Sequence, residues 1–390
     1  GGLLMVAGIA PDTAMRITGL VCFLLSAIAL FVLARRVLSK PGAIAALAAY
    51  TFNAHALLYG RASLIEYLAT GASVAMVIFA LRFMDGRGSA NWGLAAAFGV
   101  IAVLVKITTG GFYLVPILLW RGMDRRFGFQ RPSIWVLAAG VTVVALGWSS
   151  YAQGVRAEQP AAAFLALQNQ LGWFFGTLGE HFDMDRWRYI LVAILSLTGS
   201  GVIGWAPLAV SQSRAHAQRP FLLSLLIVTV TVPLLLFNLY SVHDYYWIAV
   251  APGIAIAVGL GVEWILERGR TRRARRIGVA LAGAWLATLV GLAGTWTIIY
   301  GEPVEQPRAF HIAEFIRDHS AEDDWVVVNG LDWNTTFLYY ARRMGLAVPE
   351  PNAALQDASR IDFASIFSDP IYGPFITCDI EGSCAVTERP

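Results

Sequence analysis

A few ionisable residues in this chain lie inside or beside long apolar stretches, where charge is costly. Glu66 stands near the start of one such stretch, and Lys106 separates two short ones. His243 and Asp244 are adjacent in an aromatic-rich turn between two more. Ionisable groups in membrane helices are usually kept for function. A carboxylate, an ammonium group and an imidazole beside a carboxylate could hold a phosphate, a sugar hydroxyl or a divalent ion.

Arg61 precedes Glu66 in the sequence, and two interpretations of these residues are equally open. The two side chains can simply neutralise each other, because an unpaired carboxylate in an apolar helix would be destabilising. Alternatively, Glu66 holds a cation or a sugar hydroxyl while Arg61 binds a phosphate through two parallel N–H groups. For Lys106, snorkelling of the ammonium group to the membrane surface is favoured over a role as a point charge for a phosphate.

His243, Asp244 and Tyr246 lie in a turn whose aromatic residues alone would indicate only a membrane-interface belt. His243 with Asp244 is less ordinary. The two could orient a proton carrier or help to coordinate a divalent ion, although adjacent residues do not make a metal site by themselves. In the segment Glu180–Asp185, a solvated loop face is favoured over an acid or metal cluster. If the protein binds a divalent metal, its candidate ligands are Glu66 and His243.

Membrane-spanning helices must position these residues. The 390 residues are 57% hydrophobic and 14% charged, with a mean hydropathy of +0.60, whereas soluble domains carry about 25% charged residues. The sequence predicts an all-α polytopic membrane protein with about ten transmembrane helices. The predicted helices are Ala14–Leu38, Gly42–Tyr59, Ser63–Phe83, Trp92–Val105, Thr108–Trp120, Ser133–Ala152, Tyr189–Val210, Phe221–Leu239, Tyr246–Leu266 and Ile277–Ile299.

Basic residues indicate the orientation of these helices. Alternate connections carry 17 of the 29 lysines and arginines, all on one side of the membrane. The positive-inside rule places that side in the cytoplasm, so the loop 153–188 and the C-terminal tail lie outside it. The arginine run Arg268–Arg276 is interpreted as an anchor facing anionic lipids, and no nucleic-acid partner is expected.

A break in composition divides the chain into two domains. Residues 301–390 contain 15 acidic and 6 basic residues, whereas residues 1–300 carry a net charge of +12. We expect a transmembrane domain over 1–300, including the external loop 153–188, and a small extracytoplasmic α/β domain over 301–390. Its predicted elements are a strand at Trp325–Asn329 and helices at Pro307–His319 and Thr335–Arg343. A disulfide between Cys378 and Cys384 is expected if the tail lies in an oxidising compartment.

The motifs occur in an order typical of a known family. Met15-Arg16-Ile17 opens a helix that ends in Ala34-Arg35-Arg36. There follow Tyr59-Gly60-Arg61, Lys106-Ile107-Thr108, His243-Asp244-Tyr245-Tyr246 and Tyr339-Tyr340-Ala341-Arg342-Arg343. Over nearly the whole membrane part, the chain resembles the GT-C class glycosyltransferases that depend on polyprenyl-phosphate sugars. It is similar to the family-39-like, dolichyl-phosphate-mannose-protein mannosyltransferase-like type, and the order of the motifs carries the resemblance.

The resemblance implies an integral-membrane hexosyl- or pentosyltransferase of the bacterial inner membrane. It would move a sugar from a polyprenyl-phosphate donor to an extracytoplasmic lipid, glycan or protein. By position, Glu66 matches the family's second acidic residue, Lys106 a donor-phosphate contact, and His243 a donor- or metal-side residue. The general base of the family is an aspartate in the first external loop, which we expect upstream of residue 1 in an N-terminally truncated chain. The predicted substrate-binding residues are Arg61, Glu66, Lys106, His243, Asp244 and Tyr246.

Two other classes of protein remain open. The first is a secondary transporter or lipid flippase, although such proteins usually show related halves and discontinuous helices near the midplane, and here the candidate charges lie at one interface. The second is a non-catalytic membrane subunit that binds a partner through its acidic tail. Membrane lipids are expected partners in every case.

Overall fold

The structure is a computed structural model in which the described residues form two compact units. The first unit comprises residues 1–149 and 172–300, and the second comprises residues 150–171 and 301–390. The described residues are 2–62, 64–123, 132–157, 172–201, 206, 209–210, 219–267, 271–300, 305–331, 336–348, 368, 370–379 and 381–387.

Apolar segments of the first unit form helices because a helix pairs its backbone polar groups within one segment, as a membrane requires. The described helices up to residue 300 are α1 (Gly2–Val6), α2 (Pro11–Val37), α3 (Lys40–Thr51), α4 (Ala54–Tyr59), α5 (Glu66–Met84), α6 (Ser89–Val105), α7 (Ile107–Gly110), α8 (Leu114–Met123), α9 (Pro132–Ala157), α10 (Leu178–His181), α11 (Met184–Thr198), α12 (Arg219–Leu235), α13 (Phe237–Val242), α14 (Trp247–Glu267) and α15 (Arg272–Tyr300). Short 3₁₀ turns cover Gly111–Tyr113 and Asp244–Tyr246.

Five helical segments in the described part of the chain are long and apolar enough to cross a membrane. They are Thr13–Val37, Glu66–Met84, Pro132–Val155, Asp244–Glu267 and Arg272–Thr297. Shorter apolar helices cover Ser89–Val105, Ile107–Trp120 and Arg219–Leu235. The prediction of a mostly helical, multi-pass membrane protein is confirmed, and the count of ten spans stays a prediction.

The predicted second helix, Gly42–Tyr59, is divided in the structure into α3 and α4. α3 ends at Thr51, and Asn53 is the N-cap of α4 and also binds the last turn of α3. Its side-chain amide donates to the carbonyl oxygens of Ala49 and Tyr50 at 2.8 and 2.9 Å, and its Oδ1 accepts from the N–H of Ala56 at 2.9 Å. Asparagine is among the preferred helix N-caps because its side chain competes for backbone hydrogen bonds, so one polar residue interrupts an otherwise apolar run.

Two further helices differ from their predicted bounds. The predicted helix Tyr189–Val210 corresponds to α11, which ends before Gly199 because that residue has a φ of +70°. Left-handed backbone is the usual glycine C-terminal signal, and a Cβ on Gly199 would also lie 2.7 Å from the Cβ of Leu289. The predicted helix Phe221–Leu239 is divided into α12 and α13 at Leu236.

Glu263 of α14 caps the N-terminus of α3. Its Oε2 accepts hydrogen bonds from both the backbone N–H and the hydroxyl of Ser39, each at 2.7 Å. Two glycines allow this close approach of the helices. A Cβ on Gly42 would lie 2.5 Å from Oε2 of Glu263, and a Cβ on Gly259 would lie 2.5 Å from the carbonyl oxygen of Gly42.

Replacing Glu263 with alanine is expected to lower the free energy of unfolding by about 1–3 kcal/mol, because two donors of Ser39 lose a charged acceptor. Glu263→Gln keeps an acceptor oxygen and should lose less. Thermal unfolding of the purified protein in detergent measures both effects. Glu267→Ala is the matched control, since Glu267 lies on the same helix and is exposed. Equal losses in Glu263→Ala and Glu267→Ala would contradict the capping role.

The second unit contains a four-stranded sheet of order β2-β1-β3-β4. The central strand β1 pairs in parallel with β2 and β3, and β4 pairs antiparallel with β3. Buried Val326 and Val328 of β1 pack with Ile312 and Ile316 of the preceding helix. The elements are α16 (Glu305–Asp318), β1 (Trp325–Asn329), α17 (Thr336–Ala341), β2 (Met344–Val348), β3 (Tyr372–Cys378) and β4 (Cys384–Thr387).

A disulfide joins Cys378 and Cys384, directly opposite each other on β3 and β4. The connecting turn is held by Asp379, whose carboxylate accepts from the N–H groups of Ser383 and Glu381 at 2.9 Å each. These hydrogen bonds, led by that from Ser383, lower the pKa of Asp379 below its ordinary value. The turn is therefore fixed by both a covalent bond and a charged side chain.

Candidate active site

Lys106 lies at the break between α6 and α7 and belongs to neither helix. Its backbone is extended, with φ −158° and ψ 102°. Its N–H donates to the carbonyl of Ala102 at 3.0 Å, and its own carbonyl accepts from Thr109 and Gly110 at 3.0 and 2.9 Å. A Cβ on Gly110 would lie 2.6 Å from the carbonyl carbon of Ala102, so glycine permits the close packing of α7 against the last turn of α6.

The side chain of Lys106 forms an ion pair with Glu66, with 2.5 Å between Nζ and Oε1. Glu66 begins α5 and is only 3% exposed. The positive end of the helix dipole favours a carboxylate at this position, and the ammonium group supplies the counter-charge that burial requires. Snorkelling was the favoured interpretation of Lys106, but its ammonium group is engaged by a buried carboxylate.

Arg61 takes no part in this ion pair. It lies in the turn before α5, is exposed, and forms no ion pair with any residue that the structure describes. The carboxylate of Glu66 is thus neutralised by a lysine 40 positions along the chain, and the interpretation in which Arg61 neutralises Glu66 is wrong. The physical reason is that the two side chains have different environments. Glu66 is buried where α5 packs against α6 and α7, whereas Arg61 is exposed. A phosphate contact from Arg61 stays a prediction.

Two tyrosines of the predicted aromatic turn lie beside the ammonium group of Lys106. Its Nζ is 4.0 Å from the ring centroid of Tyr246 and 5.2 Å from that of Tyr245. Both distances are within the range of attraction between a cation and an aromatic face. Tyr245 and Tyr246, here called the tyrosine pair, therefore hold the lysine from the side of α14 while Glu66 holds it from α5.

The turn that carries the tyrosine pair also contains His243 and Asp244. The imidazole of His243 lies 5.4 Å from the ring of Tyr245 and 6.0 Å from that of Tyr246, between ring centroids. Asp244 accepts a hydrogen bond from the hydroxyl of Tyr59 at 2.6 Å. Lys106 thus contacts both Glu66 and Tyr246, and His243 and Asp244 lie in the same turn as Tyr246.

The sequence analysis named Tyr59 only as part of a motif, not as a site residue, and it did not name His55 of α4. His55 is 2% exposed, its Nδ1 lies 3.4 Å from the hydroxyl of Ser196, and its ring centroid is 6.1 Å from that of Tyr59. The available signal was the same as for Lys106, an ionisable residue inside an apolar segment. Trp173, whose ring centroid is 5.4 Å from that of His243, gave no comparable signal because tryptophan is common at membrane interfaces.

The acidic segment Glu180–Asp185 consists of helix caps and ion pairs. Thr177 and Glu180 form a reciprocal capping box at α10, and Asp183 caps α11. Arg186 pairs with Glu180 at 2.7 Å and with Asp183 at 3.7 Å, and it also donates to the side chain of Asn238. Residues 182–185 are exposed, as a solvated face should be, but the segment forms the ends of two helices and is not a loop.

Among the residues that the structure describes, no third metal-binding side chain joins Glu66 and His243. In the described part of the chain, no three His, Cys, Asp or Glu side chains come together as ligands, whereas Zn²⁺ takes about four ligands and Mg²⁺ about six. Lys106 already occupies Oε1 of Glu66, and its positive charge opposes a second cation. Oε2 of Glu66 is buried without a hydrogen-bond partner among the described residues, so one acceptor position is left. Metal dependence stays a prediction, which transfer in the presence of a chelator would test.

The N-terminal part of the chain matches a family model. Residues 2–151 match the model described as dolichyl-phosphate-mannose-protein mannosyltransferase. The match contains Glu66 and Lys106 of the ion pair, and it ends before the turn with His243. A search of the curated proteins finds no match to the chain.

Solved structures align over nearly the whole chain. AglB, an archaeal oligosaccharyltransferase from Archaeoglobus fulgidus solved with an inhibitory peptide and a dolichol-phosphate, aligns with a TM-score of 0.58 at 12% identity, covering 97% of this chain and 60% of AglB. ArnT from Cupriavidus metallidurans bound to undecaprenyl phosphate aligns with a TM-score of 0.54 at 14% identity, covering 93% of this chain and 78% of ArnT. The chain has the fold of the GT-C glycosyltransferases. The resemblance predicted from the order of the motifs is therefore confirmed.

Proposed function

We propose that this membrane protein is a glycosyltransferase that takes its sugar from a polyprenyl-phosphate donor. The family match and the GT-C fold support this class of enzyme. The observation that carries the proposal is the position of Lys106, held by Glu66 and by the tyrosine pair at a break between helices. Polyprenyl phosphates are bound in both ArnT and AglB, and a fixed ammonium group is suited to their phosphate.

The ammonium group of Lys106 has three N–H donors. One points to Oε1 of Glu66 at 2.5 Å, which leaves two for phosphate oxygens. Because the ion pair and the aromatic faces already fix Nζ, little side-chain entropy is lost when the donor binds. A cation placed in advance where negative charge develops lowers the barrier without reorganisation during the reaction.

The proposed reaction is a single displacement at the anomeric carbon of the donor sugar. The acceptor hydroxyl oxygen forms a bond to that carbon, and the bond from the carbon to the phosphate oxygen breaks. The electron pair of the broken bond leaves with the lipid phosphate, where Lys106 stabilises the charge. The proton of the acceptor hydroxyl passes to a carboxylate base. The family resemblance assigns this base to an aspartate of the first external loop, which is different from Glu66 and Asp244.

The other predicted site residues are proposed to surround the donor. Arg61 is free of ion pairs with the described residues, so its guanidinium is available to a phosphate at the membrane surface. Tyr246 presents its ring to Lys106, and His243 borders the tyrosine pair. Oε2 of Glu66, without a partner among the described residues, is an acceptor for a sugar hydroxyl.

The placement in the membrane is part of the proposal. We assign about ten spanning helices to residues 1–300, with the arginine-rich connections in the cytoplasm. Residues 301–390 form an extracytoplasmic domain, and the Cys378–Cys384 disulfide supports an oxidising compartment. The proposed location is the bacterial inner membrane. Reporter fusions after residues 270 and 390 should report opposite sides, and reports from the same side would contradict the topology.

The proposed function is tested by a transfer assay on membranes that contain the full-length protein. Radiolabelled polyprenyl-phosphate sugars of several kinds are supplied as donors, with the native lipids, glycans and proteins of the envelope as acceptors. We expect label to move to one class of acceptor with release of polyprenyl phosphate. Label that only crosses the bilayer on intact donor would identify a flippase instead. The absence of both transfer and crossing would favour a non-catalytic subunit.

A further inference from the structure

We propose that Tyr59 is a positioning residue of the donor site, which acts through Asp244 to hold the tyrosine pair against Lys106. This inference rests on the proposed function, and it changes the role predicted for Asp244. The hydroxyl of Tyr59 donates to Oδ1 of Asp244 at 2.6 Å across 185 positions of sequence. In this arrangement Asp244 fixes the turn and does not itself touch the donor.

The hydrogen bond from Tyr59 begins on a helix that packs against two other helices. Tyr59 is the last residue of α4, a short helix capped by Asn53 at one end. α4 packs against α11 and α15, and its His55 is buried beside Ser196 of α11. α4 is therefore held by α11 and α15 in addition to its contacts with the turn at Asp244.

The turn at Asp244 has weaker internal support. Two of its backbone hydrogen bonds, from His243 to Leu239 and from Tyr246 to His243, are 3.2 and 3.4 Å long, which is at or beyond the usual limit for a good N–H···O bond. A further bond runs from the N–H of Trp247 to the carbonyl of Asp244. No cation pairs with Asp244 among the residues that the structure describes. The charge-assisted bond from Tyr59 is much shorter, and bonds of this kind are roughly twice as strong as neutral ones.

The position of the turn matters because Asp244 is followed directly by the tyrosine pair. If Asp244 is released, the rings of Tyr245 and Tyr246 are free to leave Nζ of Lys106, from which they are 5.2 and 4.0 Å away. Only the fraction of molecules with the rings in place would then bind the donor well. The apparent Kd equals the intrinsic Kd divided by that fraction. A bound donor selects the correct arrangement, so the chemical step is preserved.

Tyr59→Phe removes only the hydroxyl and is expected to raise the KM for the donor about tenfold with kcat changed by about twofold or less. Asp244→Ala should give a similar shift, and the Tyr59→Phe/Asp244→Ala double variant should be no worse than either single variant, because both remove one bond. Asp244→Asn retains an acceptor oxygen and should recover part of the affinity. Loss of folded protein alone would lower kcat and leave KM unchanged, so it gives a different pattern.

The matched control is Tyr50→Phe, since the hydroxyl of Tyr50 also makes a 2.6 Å side-chain hydrogen bond, to Ser26. We expect it to leave KM unchanged. An unchanged KM in Tyr59→Phe would overturn the inference, whatever the KM values of Asp244→Asn and Asp244→Ala. The Kd for undecaprenyl phosphate in detergent is measured on the same variants. If the wild type binds this lipid without transferring sugar, the proposed function fails, and the ratio of Kd values still decides the role of Tyr59.

Discussion

Replacing Lys106 with alanine is expected to abolish sugar transfer, with a fall of about 100-fold or more in kcat/KM. Removal of one group that stabilises developing negative charge typically costs about 3–4 kcal/mol in the transition state, and Lys106 is the cation at the centre of the described site. The loss should appear in kcat as well as in KM, because the phosphate gains charge as the sugar leaves. The transfer assay with labelled donor measures both constants. The matched control is Lys40→Ala, because Lys40 is the only other lysine in the sequence and begins α3.

The alanine variant also leaves Glu66 buried without its counter-charge, which could reduce the amount of folded protein. A second variant separates this effect from catalysis. The double change Glu66→Gln with Lys106→Met removes both charges and keeps the side-chain volumes, and replacing a buried ion pair in this way is often neutral or stabilising. We therefore expect a well-folded protein that does not transfer sugar. Normal turnover by either variant would remove Lys106 from the mechanism.

The sequence was sufficient to identify Glu66, Lys106 and His243 as candidates, because a charge inside an apolar segment is conspicuous against its neighbours. It was also sufficient for the class of fold, since the length and spacing of apolar segments are set by the membrane. The pattern of charges and apolar segments did not, however, predict which side chains contact each other. Glu66 had Arg61 nearby in sequence, yet the ion pair forms with Lys106, which reaches it through the packing of α5 against α6 and α7.

The limits of the pattern are clearest at helix breaks. The break at Lys106 between α6 and α7 was predicted, because a charge is conspicuous inside an apolar run. The division of the predicted helix Thr108–Trp120 into α7, a 3₁₀ turn and α8 was not. Asn53 is also polar but uncharged, and its division of the second helix was not predicted. Gly199 ends α11 because its φ is positive and Leu289 lies close to it, and neither condition can be read from one glycine in an apolar run. The hydrogen bond from Tyr59 to Asp244 was missed for the same reason, since it depends on tertiary packing.

Replacing Glu66 with alanine is expected to lower the free energy of unfolding by about 3–5 kcal/mol, the usual cost of leaving one partner of a buried ion pair uncompensated. The side chains of Glu66 and Lys106 are 4% and 13% exposed, so solvent does little to relieve the unpaired ammonium group. Glu66→Gln, which still accepts an N–H from Lys106, should lose less. Chemical or thermal unfolding in detergent measures the stabilities of the three proteins.

The pair Arg36–Asp85 is the matched control for Glu66→Ala, because it has the same 2.5 Å separation but an aspartate side chain that is 39% exposed. Breaking it with Asp85→Ala should cost about 1 kcal/mol or less, since water and salt screen an exposed pair. Equal costs for Glu66→Ala and Asp85→Ala would mean that water reaches Lys106 freely. A hydrated, unconfined lysine would bind phosphate through charge alone, and the fixed position of Nζ, on which the proposed transfer mechanism depends, would then be lost. A much larger cost for Glu66→Ala, together with a fall in kcat/KM of about 10-fold or more, is the combination expected of a cation held in place for the leaving phosphate.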